Sequence, residues 1–353
     1  MEGPGGDFLR QGWEALAVTD WEGARSCFER SYELDESAEV LDGLGRVLHF
    51  QGEYARGIEL TERAFAAYRR VDKRVEAADC ARWLAFLHGT ITSNMAVANG
   101  WMARAEGLLE GVPECAGHGW LALDRAPFTD DASERERLAT AALAIARRFG
   151  DVNLEYDALA LLGEAYVVAG RVAEGMQLID EAMTAVSVGE VVDVVSVSDI
   201  LCRLLSACEC ALDVTRAEQW MAVARRFTAW GDFVSAVCRS HYGGLLIAVG
   251  RWTEAEDQLL AAIGTFENSY RGMREFPLVK LADLRVRQGR LEEAQRLLEG
   301  NEYHAVARRA LATIAFVRGE VVLAEELVQL CLEGQGSSDL ACAPAVELLV
   351  QIR

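Results

Sequence analysis

Five histidines (His49, His88, His118, His241 and His304) and nine cysteines are the side chains of this 353-residue sequence best suited to nucleophilic or metal chemistry. Nucleophilic catalysis needs a Ser or Cys held against a His that a carboxylate orients. The histidines fall in separate segments without a signature elbow or loop, so no catalytic residue is assigned and the chain is expected not to be an enzyme. A set assembled across distant segments would be invisible to spacing. Cys115-Ala116-Gly117-His118 has ligand-like spacing, yet no second pair completes a tetrahedral zinc set. Cys208 and Cys210, on one helix at about 100° per residue, point to nearly opposite faces. Neither Lys73 nor Lys280, the only lysines, sits in a phosphate-cradling glycine loop, and Gly43-Leu44-Gly45 lacks the third glycine and preceding strand of a dinucleotide site. No metal and no cofactor is expected.

A second set is suited to binding. Arg82, Trp83, Trp120, Arg125, Tyr156, Tyr166, Arg203, Arg239, His241 and Tyr242 lie in segments of helical apolar period. Arginine and aromatic residues are the types that anchor interfaces. The set is therefore the candidate lining of a ligand groove. The competing reading has the aromatics packing between helices and the arginines on solvated ridges.

Bulk charge restricts the partners. With 55 acidic against 35 basic residues the chain carries −20, and such a surface repels nucleic-acid backbones and anionic lipid. The near-exclusive use of arginine reads as a high-GC bacterial gene. Cysteines scattered in apolar stretches without CxxC spacing read as small buried hydrophobes in a reducing compartment. Residues Met1 to Asp7 show neither a basic nor an apolar leader region, and no apolar run is long enough to span a bilayer. A cytoplasmic protein without a membrane partner is expected.

The elements that position these residues follow from a recurring phrase. It consists of Gly or a polar residue, a spacer, an aromatic or aliphatic residue, two spacers, then Ala or Gly. The phrase starts at Thr19, Gly52, Ser93, Gly170, Leu212, Gly250, Gly289 and Gly319, with a degenerate copy near Asp130-Asp131. The period is about 38 residues. The first position closes one helix in a left-handed cap, the third packs back on it, and the small sixth residue lets two helices approach closely. Each phrase should thus mark the turn into the second helix of an antiparallel pair. Between phrases, runs such as Val40-Leu41-Leu44-Val47-Leu48 carry the i, i+3, i+4, i+7 period of helices. The β-branched run Val191–Val197 is assigned to the start of a first helix despite its poor propensity.

Only five prolines and no long Pro/Ser/Gly linker occur, so residues 1–353 are expected to form one all-α array. Its architecture is a tetratricopeptide-like, right-handed superhelical solenoid of about nine helix pairs, the last incomplete at Pro344–Arg353. Such arrays line their concave face with the first helix of each pair.

Ala98-Asn99-Gly100-Trp101-Met102-Ala103-Arg104-Ala105-Glu106-Gly107-Leu108-Leu109, then Pro113-Glu114-Cys115 and His118-Gly119-Trp120-Leu121-Ala122-Leu123, resemble the helical-repeat region of large LuxR-family transcriptional regulators. Cys238-Arg239-Ser240-His241-Tyr242-Gly243-Gly244 and Gly289-Arg290-Leu291-Glu292-Glu293-Ala294 fit the same group, so the resemblance spans nearly the whole chain. It implies a non-catalytic sensor segment that binds a small molecule or a protein or peptide in its concave groove. It also implies DNA binding only through a C-terminal helix-turn-helix output domain, and no such domain occurs before Arg353. Homodimerisation is a further expectation. The alternative is an interaction scaffold or dimerisation module that senses no ligand.

Overall fold

The computed structural model describes residues 4–126, 129, 131–224, 231–333 and 340–353, and among these every regular element is a helix. The first five antiparallel pairs are α1 (Pro4–Ala17) with α2 (Trp21–Leu34), α3 (Ala38–Phe50) with α4 (Tyr54–Arg70), α5 (Arg74–Thr90) with α6 (Met95–Leu109), α7 (Ala116–Arg125) with α8 (Ala132–Phe149), and α9 (Val152–Val168) with α10 (Val172–Val188). Then come α11 (Val194–Ala211) with α12 (Val214–Ala224), α13 (Gly231–Ala248) with α14 (Trp252–Asn268), α15 (Glu275–Arg287) with α16 (Leu291–Leu298), α17 (Ala305–Val317) with α18 (Val321–Glu333), and α19 (Ala343–Ile352). Short 3-10 turns at Arg271–Met273 and Leu340–Cys342 precede α15 and α19.

The recurring phrase has the geometry its chemistry demands. All eight first positions have positive φ, including the non-glycines Thr19, Ser93 and Leu212. The third positions Trp21, Tyr54, Met95, Val172, Val214, Trp252, Leu291 and Val321 each open the second helix of a pair. At the sixth position, Ala24, Ala98, Ala217, Ala255, Ala294 and Ala324 are at most 4% exposed. Gly175 shows why this residue must be small, because a Cβ there would lie 2.3 Å from the Gly163 carbonyl of the preceding helix. Of the degenerate copy, Asp130 lies outside the described residues, while Asp131 caps α8 by accepting the backbone N–H of Ser133 and Glu134. In the Val191–Val197 run the helix begins at Val194, capped by Asp193 accepting from the Ser196 N–H, and Val191, Val194 and Val197 are buried.

Packing is shared between neighbours. Helix α9 contributes Leu154, Leu159, Leu161 and Leu162 to a core that runs from α7 through α13. Each such buried side chain stabilises the array by about 2 kcal/mol. The array also curls back on itself. Tyr270, between α14 and α15, hydrogen-bonds His49 of α3 over 3.0 Å, its ring meets Tyr54 edge-on, and Gly272 lies against the Gly89 carbonyl at the end of α5. The connection after the seventh pair therefore touches the second and third pairs, and the inner helices surround a cavity.

Candidate functional site

The successive first helices are tied together by partly buried ion pairs. On α3, Asp42 accepts from Arg46 at 2.9 Å; Arg46 reaches Asp79 on α5 at 2.5 Å; Arg82 bonds Asp79 at 2.7 Å and Asp124 on α7 at 2.6 Å. Farther along, Arg203 of α11 pairs with Asp157 and Glu164 of α9, at 3.2 and 3.5 Å. Glu209 of α11 takes Lys280 of α15 at 2.5 Å and His241 of α13 at 3.2 Å, and Asp283 of α15 takes Arg309 of α17 at 2.9 Å. Burial would raise the Asp79 carboxyl, but Arg46 and Arg82 outweigh it and hold its pKa below the ordinary value. Glu209 likewise stays low, since Lys280 and His241 overcome its desolvation. The arginines of the inner helices are thus first of all inter-repeat connectors.

Within the curl lies a cavity of about 700 Å³. Its wall is built from helical stripes with one angular register: Arg82, Ala85 and Phe86 on α5; Asp199, Cys202, Arg203 and Ser206 on α11; Val237, Ser240 and His241 on α13. Each follows i, i+3, i+4, the spacing that places residues on one face. Asn99 and Met102 of α6, Asp124 of α7, Leu138 of α8, Glu164 of α9, Phe266 of α14 and Phe276 of α15 complete it. A volume of this size with apolar walls and a few convergent polar groups has the form of a ligand pocket.

Of the ten candidates read from the sequence, Arg82, Arg125, Arg203 and His241 line this cavity. Trp83 is buried beside it, stacked on Phe86 with centroids 5.1 Å apart and edge-on to His49. Trp120 lies behind Arg82, whose guanidinium sits 5.2 Å from its ring, and donates its indole N–H to Asp151. Tyr156 donates to Glu190, Tyr166 carries Arg171 over its ring, Arg239 bonds Gln258, and Tyr242 donates to Glu218. These six pack or pair outside the wall. Arg239 and His241 are about 200° apart on α13, so one helix does not turn both inward.

The other signals resolve as local structure. Cys115 and His118 form the capping box of α7, and His304 caps α17. His49 is buried, and desolvation with the nearby Arg46 pushes its pKa down to about 3. Among the described residues no group of three or more His, Cys, Asp or Glu side chains is arranged to hold a metal ion, and no helix is long and apolar enough to cross a membrane. Cys80, Cys208, Cys238, Cys331 and Cys342 are buried, the other four half-buried.

Sequence reasoning missed Asp199, Cys202, Ser240, Phe86, Met102 and Phe266. The available signal was angular: polar residues interrupting the apolar stripe of a first helix at i, i+3, i+4.

No protein-family model matches the chain, and no curated protein matches it. Among solved structures it is similar to a Rap protein complexed with competence and sporulation factor, over 99% of this chain and 97% of that one, with 12% sequence identity and a TM-score of 0.50. At that identity the likeness is one of fold, an all-α helical repeat of tetratricopeptide type.

Proposed function

We propose that the chain is the non-catalytic sensor segment of a LuxR-type transcriptional regulator and that it binds a small molecule or a peptide in the cavity between its inner helices. The cavity of about 700 Å³ carries this reading, because it is bounded by helices from both ends of the curl. A ligand that contacts both would favour the curled arrangement and so alter what an attached output domain experiences. The Rap protein that shares the fold is one complexed with competence and sporulation factor, which supports a binding role for this array. DNA would be contacted by the output domain, since a chain carrying −20 is repelled by phosphate.

Two experiments test the reading. A ligand present at about 100 times its Kd should stabilise the chain by about 2.7 kcal/mol, seen as a raised Tm in a metabolite and peptide panel. Deleting the segment from the parent regulator should abolish regulated transcription. An unresponsive panel together with unchanged regulation would leave the scaffold reading instead. That reading draws on one observation: Val322 on α18 and Val350 on α19 are 74% and 72% exposed, apolar side chains open to a second copy of the chain.

A further inference from the structure

We propose that the cavity takes a ligand presenting a cation, an amine or guanidinium beside an apolar body, with Asp199 as the counter-ion and Ser240 as a second polar contact. This rests on the reading that the cavity is a ligand site. Five carboxylates line the wall against three arginines, so the interior is acidic before anything enters. Each arginine is already held: Arg82 by Asp79 and Asp124, Arg203 by Asp157 and Glu164, Arg125 by Glu106. Glu134 is in turn held by Arg137. Asp199 is left, with no hydrogen bond or salt bridge among the described residues.

A second observation, independent of charge, marks the same wall. Ser240 is 3% exposed, lines the cavity from α13, and its Oγ has no hydrogen-bond partner among the described residues. A buried hydroxyl left so is costly, and a ligand that donates to it or accepts from it removes the cost. Around these groups Phe86, Met102 and Phe266 offer apolar and aromatic surface, which suits a hydrocarbon body and the face of a cation. An anion would meet the carboxylate surplus and would have to displace an existing ion pair.

The environment of Asp199 points the same way. Desolvation raises its pKa most; Arg203 lowers it, and Asp124, Asp193 and Glu164 raise it, so that it is pushed up to about 6. At neutral pH it is still a carboxylate, poorly compensated, and an incoming cation relieves that.

The test is a fluorescence titration of the full chain at pH 7.5 with three probes sharing one aromatic group: dansylcadaverine, an amine; dansylamide, neutral; and dansylglycine, an acid. We expect the amine to bind at least about ten-fold more tightly than the neutral probe, and the acid most weakly. Asp199→Asn should erase the preference for the amine over dansylamide. Ser240→Ala should weaken the amine about two- to five-fold. Competition by tryptamine and by phenylalanyl-arginine amide separates the sources. Displacement at lower concentration by the first indicates a free amine, by the second a peptide, and either supports the proposal. Equal binding of all three probes, or an amine preference that survives Asp199→Asn, overturns the proposal and leaves the cavity a ligand site of another polarity. Failure of every probe to bind sinks the cavity reading as well.

Discussion

Two inner-face residues of one helix, Arg203 and Asp199, show how position decides role. Arg203 is 11% exposed at its side chain and pairs with Asp157, itself 1% exposed, whose desolvation nevertheless keeps its pKa well above the ordinary value; removing such a partner strands a buried group. Asp199, one turn earlier on α11, makes no direct salt bridge among the described residues; Arg203 offsets only part of its desolvation, and its pKa is pushed up to about 6 from its ordinary 3.8. The sign of the stability effect follows. Between those two values the folded chain binds more protons than the unfolded one, so Asp199 lowers stability as pH rises through about 6, and the penalty persists above. Asp199→Asn should therefore stabilise the ligand-free protein at pH 7.5 by about 1–3 kcal/mol and give no gain near pH 3. Urea unfolding at the two pH values checks it; an equal effect at both would show that the charge is not the cause. A buried charge that costs the free fold stability, and that an incoming cation would relieve, agrees with the proposed binding role. Residue type in the sequence pointed to Arg82 and Arg203, but not to Asp199 and Ser240, because what marks them is a missing partner, and partners are set by contacts between helices 40 or so residues apart.

At the scale of the element, the turn phrase fixes both ends of each pair. Leu212 closes α11 with φ 57°, a conformation that costs an L-residue about 1–2 kcal/mol, and its side chain is 58% exposed. Leu212→Gly should relieve that strain against a larger unfolded-state entropy, a net gain of about 0.5–1 kcal/mol. Gly175→Ala should act oppositely, since its Cβ would sit 2.3 Å from the Gly163 carbonyl and 2.8 Å from the Val167 N; the pair α9–α10 must spread, at a cost of about 2–3 kcal/mol. Chemical denaturation of the two variants reads both signs, and a neutral Gly175→Ala would contradict the close crossing. The pairs were legible in sequence because Trp21, Tyr54 and Trp252 start helices and Ala24, Ala255 and Ala294 are buried at one fixed offset. The cavity wall was less legible. The sequence shows which helices are inner, but a stripe such as Val237, Ser240 and His241 differs from a core stripe only by its neighbours across the interior, and those come from the curl of the whole array.

At the scale of the whole molecule, that curl depends on a contact remote in sequence. His49 and Tyr270, 221 positions apart, share a buried hydrogen bond, and Gly272 sits so close to α5 that a Cβ would lie 2.2 Å from the Gly89 carbonyl and 3.0 Å from that of Thr90. Nothing in the backbone conformation of Gly272 demands glycine; only the space does, so Gly272→Val tests closure without straining its own turn. In a repeat array each pair draws its stability from its neighbours, so prising this contact apart should leave helix content unchanged and lower the Tm by only a few degrees. Cavity binding should suffer far more, because one wall carries Arg82 and Phe86 from α5 and the other carries Phe266 and Phe276 from α14 and α15. For Gly272→Val we expect at least a ten-fold loss of dansylcadaverine affinity and faster amide hydrogen exchange at the end of α5 and in the Tyr270–Arg274 segment. Exchange that accelerates with affinity intact would mean that the cavity forms without closure, and the route from ligand to output domain would then have to run through the inner-helix ion pairs instead.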